Sequence, residues 1–233
     1  MSDSGSLPCK NHTKTGEQPH IELRVVVFSL FENRLQTLLS PADTTIFPGC
    51  LEFPGFPVLA GQALEQTAES CLKELLNVPE LYLEQLFTYG GPQRHPSRSL
   101  ISVVYFALIS LDPAAIDHHS SQFTWRPAED PPALAMDHNE ILSYALRRLR
   151  YKLEYSAVGF ELLPQTFTLS ELQKTYEMIL GEKLDKRNFR RRILQGGIIE
   201  ATEDYRSGEG RPARLYRYRP DAVAEVKARR LFP

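Results

Sequence analysis

Hydrophobic residues follow two different periods in the first 154 residues of the chain. Runs of β-branched and other apolar residues predict four strands, at 21–30, 35–39, 84–89 and 100–110. The segment LEFPG (51–55) is typical of a strand end that runs into a Pro/Gly loop. In two other segments, 63–76 and 139–153, apolar residues recur every three or four positions, which predicts amphipathic helices. This order of strands and helices, without an internal repeat, predicts an α/β sandwich.

The pattern changes near residue 155, where a second set of elements begins. Thr168 followed by Glu171 is typical of a capping box and predicts a helix over Leu169–Leu180. Asp185 is typical of an N-cap and predicts a second helix over Lys186–Gln195, which ends at two glycines. Two short strands follow, at 198–202 and 214–218. This order of two helices and a hairpin predicts a winged helix-turn-helix.

The charges divide the chain in the same way. Residues 1–144 contain 8 Lys and Arg against 17 Asp and Glu, a net charge of −9, whereas residues 145–233 contain 19 against 12, a net charge of +7. We therefore predict a disordered lead-in at 1–20, a sandwich domain at 21–154 and a winged-helix domain at 155–233. The basic second domain suggests binding of a polyanion, although such an asymmetry also arises by accident.

Composition excludes several classes of protein. Of the 233 residues, 42% are hydrophobic and 24% are charged, which is typical of a globular protein and excludes a disordered or collagen-like chain. No apolar run reaches the ~18 residues that a membrane helix needs. Three unclustered cysteines, Cys9, Cys50 and Cys71, predict neither a disulfide framework nor a zinc site. We expect a cytoplasmic protein in a reducing compartment, with no metal and no required cofactor.

The second winged-helix segment, KRNFRRRILQ, combines an apolar stripe with a basic face. Phe189, Ile193 and Leu194 are predicted to form the buried stripe. The predicted DNA contacts lie on the other side of this helix and in the hairpin, at Lys186, Arg187, Asn188, Arg190, Arg191, Arg211 and Arg214. Forked arginine donors on a recognition helix suit phosphates and guanine edges. The competing interpretations are a solvated basic face and a protein-binding winged helix.

In the first domain, LEFPGF…GQALEQTAESCLKELLNV resembles a Nudix box. In such a box a glycine and a loop glutamate precede Arg-Glu-x-x-Glu-Glu-x-Gly on a helix, and the carboxylates hold divalent metal ions against a diphosphate. Counting from Gly55 without a gap puts Ser70, Lys73 and Glu74 at the three helix carboxylate positions.

One extra loop residue changes the register and fits the apolar positions better. It puts Cys71, Glu74 and Leu75 at the carboxylate positions, and the loop glutamate becomes Gly61 or Gln62 depending on the register. In both registers Glu74 is the one carboxylate left of three. The box therefore predicts the Nudix fold without its metal chemistry.

The whole chain, over roughly residues 21–219, resembles the Nudix-related transcriptional regulators of the NrtR type. The most specific segments are QLFTYGGPQRHPSR with VVYFAL (85–108) and FELLPQTFTLSELQKTYEMILGEKLDKRNFRRRIL (160–194). The resemblance implies an α+β chain in which a Nudix-like α/β/α sandwich precedes a winged helix-turn-helix.

The same resemblance implies partners and a site. It implies a homodimer that represses NAD-cofactor or related metabolic genes from a palindromic operator on double-stranded DNA. It also implies release by ADP-ribose or a related phosphorylated metabolite, and a nucleoid-associated location. The family loop commonly reads Arg-Asp-Pro-x-x-Arg, and here it reads RHPSR (94–98). Arg94 and Arg98 are the predicted phosphate ligands, with Glu74 as a further candidate, and ordinary solvation of the loop is the alternative.

We therefore expect a ligand-responsive transcriptional regulator, most simply a repressor, with an inactive Nudix-like sensor. The alternative is a Nudix-type hydrolase of ADP-ribose or nucleotide-sugar diphosphates with a rearranged metal site. Such an enzyme would use carboxylates such as Glu65, Glu69 or Glu74.

Overall fold

The computed structural model describes residues 18–111, 122–154, 156–207 and 212–219. The first seven strands form one sheet, and they are β1 (His20–Phe31), β2 (Arg34–Pro41), β3 (Leu51–Glu52), β4 (Gly55–Pro57), β5 (Tyr82–Gly91), β6 (Leu100–Leu108) and β7 (Thr124–Pro127). The strand order is β3-β2-β1-β6-β5, while β4 pairs with β1 and β7 pairs with β2. β1 runs parallel to β6 and antiparallel to β2.

A two-residue turn joins β1 and β2, as the polar residues between the two apolar runs predict. Glu32 and Asn33 have φ angles of 52° and 60°. Two consecutive left-handed residues form the hairpin turn whose twist matches that of the strands. The turn thereby sets the register in which Phe31 pairs with Arg34.

One helix covers each face of the sheet, α1 (Leu64–Leu76) on one side and α2 (His138–Leu153) on the other. Leu23 and Val25 of β1 lie in a buried cluster with Leu72 of α1. Val26 points to the opposite face and lies in a cluster with Leu142 of α2. Alternate residues of one strand thus supply both cores, which is the expected pattern of a buried central strand.

The remaining elements form the winged helix. They are a 3₁₀ turn at Val158–Leu162, β8 (Thr166–Phe167), α3 (Leu169–Leu180), α4 (Lys186–Gln195), β9 (Ile199–Arg206) and β10 (Ala213–Tyr218). The strands pair in the order β8-β10-β9. Both helices have the predicted bounds, and β9 extends four residues beyond the predicted strand. The short strands β7 and β8 were not predicted.

An apolar cluster continues from the sandwich into the winged helix. It contains Leu149 and Leu153 of α2 together with Phe160 and Tyr176. Gly159 lies where these residues meet, because a Cβ atom there would lie 2.9 Å from Leu153 Cδ2 and 3.1 Å from Tyr176 Cε2. A larger residue at 159 would therefore push α2 and α3 apart.

Two predictions about the chain's organisation fall partly outside the described residues. These are the lead-in at 1–20, of which 18–20 are described, and the domain boundary near Tyr155. The domain division stays a prediction. None of the helices in the described part of the chain has the length and apolarity needed to cross a bilayer.

Candidate nucleic-acid interface and effector site

The basic helix α4 begins at a side-chain cap and lies on an apolar anchor. Asp185 Oδ1 accepts a hydrogen bond from the Asn188 backbone N–H at 2.8 Å, which fixes the first turn. Phe189 and Ile193 are buried, and the Phe189 ring meets Tyr176 of α3 edge to face at 5.5 Å. These contacts confirm the predicted N-cap and hold the helix against α3.

The prediction that Leu194 belongs to the buried stripe is wrong. Its side chain is 48% exposed, whereas Phe189 is 2% exposed. Each residue of an α-helix is rotated by about 100° from the one before it, so the side chain of Leu194 points away from the buried side on which Ile193 lies. Spacing alone misplaced it, because the apolar stripe of a ten-residue helix is narrow.

The predicted DNA-contacting residues of α4 divide into two groups. Lys186, Arg187 and Arg191 are exposed, and Arg191 Nη2 donates to Asn188 Oδ1 at 2.8 Å. Arg190 is half-buried and its Nη2 donates to Ser170 Oγ of α3 at 2.9 Å. The first group faces solvent, while Arg190 also ties α4 to α3.

The hairpin contains further arginines. Arg214 is in β10, and its Nε donates to the Thr202 carbonyl oxygen at 3.1 Å. Arg206, which was not predicted, pairs with Glu171 of the capping box and so joins the hairpin to α3. The predicted contact Arg211 lies outside the described residues.

In the sandwich, a buried polar network crosses β1 and its neighbours. Arg24 donates from Nε to Glu22 Oε1 at 2.7 Å and pairs with Glu52 at 3.0 Å. Burial alone would raise the pKa of Glu22, but hydrogen bonds from Arg24 and Ser102 outweigh it and hold the pKa below its usual value. A Cβ atom on Gly55 would lie 2.9 Å from the Arg24 guanidinium, so this glycine gives the arginine its room.

Arg94 completes this network from the loop after β5. Its Nε and Nη2 donate to the two carboxylate oxygens of Asp137 at 2.6 and 2.9 Å, and its Nη1 donates to Ser102 Oγ at 2.7 Å. The side chain is almost fully buried. Asp137 directly precedes α2. Arg94 therefore fastens the loop to the start of α2, and its nitrogen atoms already have protein partners.

Arg98 is exposed and lines a cavity of about 170 Å³ at the other end of this loop. His95 lines the same cavity, and its ring meets Phe47 edge to face at 5.7 Å. Burial lowers the pKa of His95, and the Arg98 charge adds to this effect. Arg24 and Glu52 line this cavity and also a larger cleft of about 710 Å³. The loop thus lines the smaller cavity, and Arg24 and Glu52 lie between this cavity and the cleft.

The third predicted ligand residue, Glu74, lies elsewhere. It is exposed on α1 and lines neither of these cavities. On the same helix, Glu69 pairs with Lys73 at 2.7 Å. Among the described residues there is no group of three or more His, Cys, Asp or Glu side chains placed to hold a metal ion.

Comparison with known proteins identifies the family. Residues 159–218 match the model of the NrtR DNA-binding winged helix domain. A curated protein of Acinetobacter baylyi, named ADPR responsive transcriptional repressor NtrR, is 34% identical over 205 residues, which cover 86% of this chain and 82% of that protein. The chain belongs to the NrtR family.

Solved structures agree with this assignment. The crystal structure of Shewanella oneidensis NrtR complexed with a 27mer DNA is 33% identical, with a TM-score of 0.78, and the match covers 88% of this chain and 95% of that one. A MutT/nudix family protein from Enterococcus faecalis is 22% identical with a TM-score of 0.73, covering 87% and 89% of the two chains, and shows the shared fold alone. The NrtR resemblance and the α+β fold class predicted from the sequence are confirmed.

In this NrtR-family chain, His138 lies in a polar stretch whose histidines indicate a metal site only weakly and are expected to be solvated, and for His138 the expected solvation is wrong. His138, the first residue of α2, is fully buried, and its Nδ1 accepts a hydrogen bond from the Phe53 backbone N–H at 3.3 Å. The two rings stack with centroids 4.9 Å apart. Burial holds the pKa of His138 well below its usual 6.5, and the charges of Arg24 and Arg94 add to this effect.

Proposed function

We propose that this chain is a transcriptional repressor that binds operator DNA through α4 and its hairpin and responds to ADP-ribose or a related phosphorylated metabolite. The observation that carries the DNA-binding part is the solvent-facing group Lys186, Arg187 and Arg191 on a capped helix anchored by Phe189. Cations on one face of the second helix of a helix-turn-helix match the charge of the DNA major groove. The relative that crystallised with a 27mer DNA supports the same use of this fold.

The hairpin extends the basic surface beyond α4. We place Arg214 and Arg211 on an adjacent phosphate backbone or narrow minor groove, beside the bases read by the helix. Arg190 has two proposed roles. It holds α4 against α3 through its hydrogen bond to Ser170, and it lies next to Arg191 in the basic surface that contacts DNA. Asn188 supports Arg191 by accepting its hydrogen bond.

For the effector, we place the nucleotide in the larger cleft and its phosphates near Arg98. A volume of about 710 Å³ lies within the usual range for small-molecule sites, and Phe56 and Phe123 supply aromatic lining. Arg98 is exposed and lines the adjoining cavity, so its forked guanidinium is accessible to a phosphate. Arg94 does not contact the phosphate in this arrangement but positions the loop that carries Arg98, through its hydrogen bonds to Asp137.

The same contacts support a route from effector to DNA. Arg94 and Asp137 join the effector loop to the start of α2. Near the other end of α2, Arg150 Nε donates to the Ile179 carbonyl oxygen in the last turn of α3, at 2.8 Å. A ligand that moves the loop would therefore shift α2 against the helix-turn-helix, through the segment 140–165.

We also propose that the sensor is not an enzyme. Asn77, after the last residue of α1, is left-handed with φ 50°, which suits the glycine that ends a Nudix box. This supports the register with Cys71, Glu74 and Leu75 at the carboxylate positions. A single exposed carboxylate does not assemble a divalent-metal cluster. The hydrolase alternative would need Glu65 or Glu69 to hold a metal ion together with Glu74, and the described residues contain no group of three or more potential metal ligands.

A homodimer on palindromic DNA completes the proposal, because two recognition helices in a dimer reach half-sites about 34–36 Å apart. The test is selection of duplexes from a random-sequence library by the purified full chain, followed by sequencing. The proposal predicts enrichment of a palindrome whose half-site centres are about one DNA turn apart. Recovery of unselected sequences at physiological salt would contradict it.

A further inference from the structure

Leu194 occupies an unusual position on the recognition helix. It is 48% exposed, and it is the sole exposed large apolar side chain that the described residues of α3 and α4 present. Leu194 follows Arg187 by seven residues, which is nearly two full helical turns, and it follows Arg191 by three. The solvent-facing arginine row of α4 therefore ends in an apolar side chain.

The neighbours of Leu194 favour DNA over a protein partner. A protein-binding surface on a helix commonly offers several contiguous apolar side chains. Leu194 instead follows Arg191 by one helical turn and Arg187 by two, and both arginines are exposed cations. Burying them against an apolar surface without negative charge would cost their hydration, whereas a polyanion matches their charge. DNA offers both kinds of group to this surface, because phosphates border the major groove and thymine methyl groups lie within it.

Only one of the four bases offers an apolar group there. Thymine carries a C5 methyl group in the major groove, while guanine offers two acceptors to arginine. Seven residues of helix rise by about 10 Å, which corresponds to about three base pairs of B-DNA. A thymine about three base pairs from the position contacted by Arg187 would thus lie under Leu194.

We propose that Leu194 contacts the C5 methyl group of a thymine in each half-site and so sets base specificity at that position. The inference rests on the DNA-binding function proposed above. Burying one methyl-sized group corresponds to a factor of about four in affinity, so the effect is measurable without abolishing binding.

The experiment replaces thymine by deoxyuridine, which removes only the methyl group. The probe is the duplex enriched by this protein from a random-sequence library, with each thymine replaced in turn, and affinity is measured by fluorescence anisotropy at fixed salt. Wild type is expected to lose about fourfold per half-site at one symmetric pair of thymines. The variant Leu194→Ala is expected to bind thymine and deoxyuridine duplexes alike, and Leu194→Met to restore part of the difference.

The controls distinguish a failure of this inference from a failure of the proposed DNA-binding function. Lys186→Ala should weaken both duplexes equally, because a phosphate contact does not depend on the methyl group. Leu194 is exposed, so an unchanged thermal midpoint for Leu194→Ala shows that the fold is intact. Equal wild-type affinity for all duplexes, or a methyl effect that persists in Leu194→Ala, would overturn the assignment. If the wild-type protein binds no duplex, the proposed function itself fails.

Discussion

At the scale of single residues, His138 makes part of the stability depend on pH. Its buried ring is stacked on Phe53 and accepts the Phe53 N–H, so protonation would break a hydrogen bond and bury a charge beside Arg24 and Arg94. The unfolded chain protonates this histidine near pH 6.5 and the folded chain only at lower pH. The contribution is therefore complete above pH 6.5 and is lost as the pH falls below it, by at most about 1.4 kcal/mol per pH unit.

The variant His138→Asn keeps an acceptor for the Phe53 N–H and removes the titration. Its free energy of unfolding should fall less than that of the wild type between pH 7.5 and 5.5, as measured by urea unfolding at both values. The exposed His20→Asn serves as a matched histidine control. Glu22, whose pKa is lowered from 4.5, loses its ionised form only below this range. Equal pH slopes for His138→Asn and wild type would contradict the account.

At the scale of elements, the sequence predicts best where a local side-chain contact fixes the end. Both bounds of α3 and α4 follow from the residues at their ends, with Thr168 and Asp185 at the start. The strands β7 and β8 have four and two residues and pair with distant strands, so periodicity contains no signal for them. The pairing of Arg94 with Asp137, 43 positions apart, depends on the tertiary fold in the same way.

The outward face of α4 should carry the DNA affinity. Replacing Arg187 and Arg191 together by Ala removes two exposed donors without touching the Phe189 anchor. The slope of log affinity against log salt should fall by about one for each phosphate that the double variant no longer binds, and removal of a base-reading arginine should relax specificity at one position. Anisotropy over a salt series measures both effects.

Arg126→Ala, at an exposed arginine of β7 in the sandwich, is the control for loss of a positive charge away from α4. It should leave the salt slope unchanged. If the variant that lacks both Arg187 and Arg191 binds DNA with wild-type affinity, the DNA-binding surface is not the outward face of α4. Arg190 is less suitable for this test, because its bond to Ser170 also holds α3 and α4 together.

At the scale of the whole molecule, communication between sensor and winged helix should depend on Arg150. This side chain donates to the Ile179 carbonyl oxygen of α3 and also pairs with Glu129 of the sandwich. Arg150→Gln should still bind ADP-ribose and DNA. The factor by which ADP-ribose changes the affinity for DNA should be smaller than in the wild type. Calorimetry of the ligand and anisotropy of the DNA, each with and without the other partner, measure that factor.

Arg147→Gln, on the exposed side of the same helix, is the control and should leave the coupling factor unchanged. An unchanged factor in Arg150→Gln would place the route elsewhere. The close packing of Gly159 against Leu153 and Tyr176 is then the next candidate for the route, since it joins α2 to α3.

The central claim is most directly tested by one measurement on the wild-type chain. The affinity for the selected duplex is measured by anisotropy at physiological salt, with and without ADP-ribose, and the nucleotide is recovered afterwards in the presence of Mg²⁺. We predict specific binding that ADP-ribose weakens by about 5–150-fold, with the nucleotide recovered intact. DNA affinity that does not respond to ADP-ribose, together with steady hydrolysis that Glu74→Gln abolishes, would contradict the account.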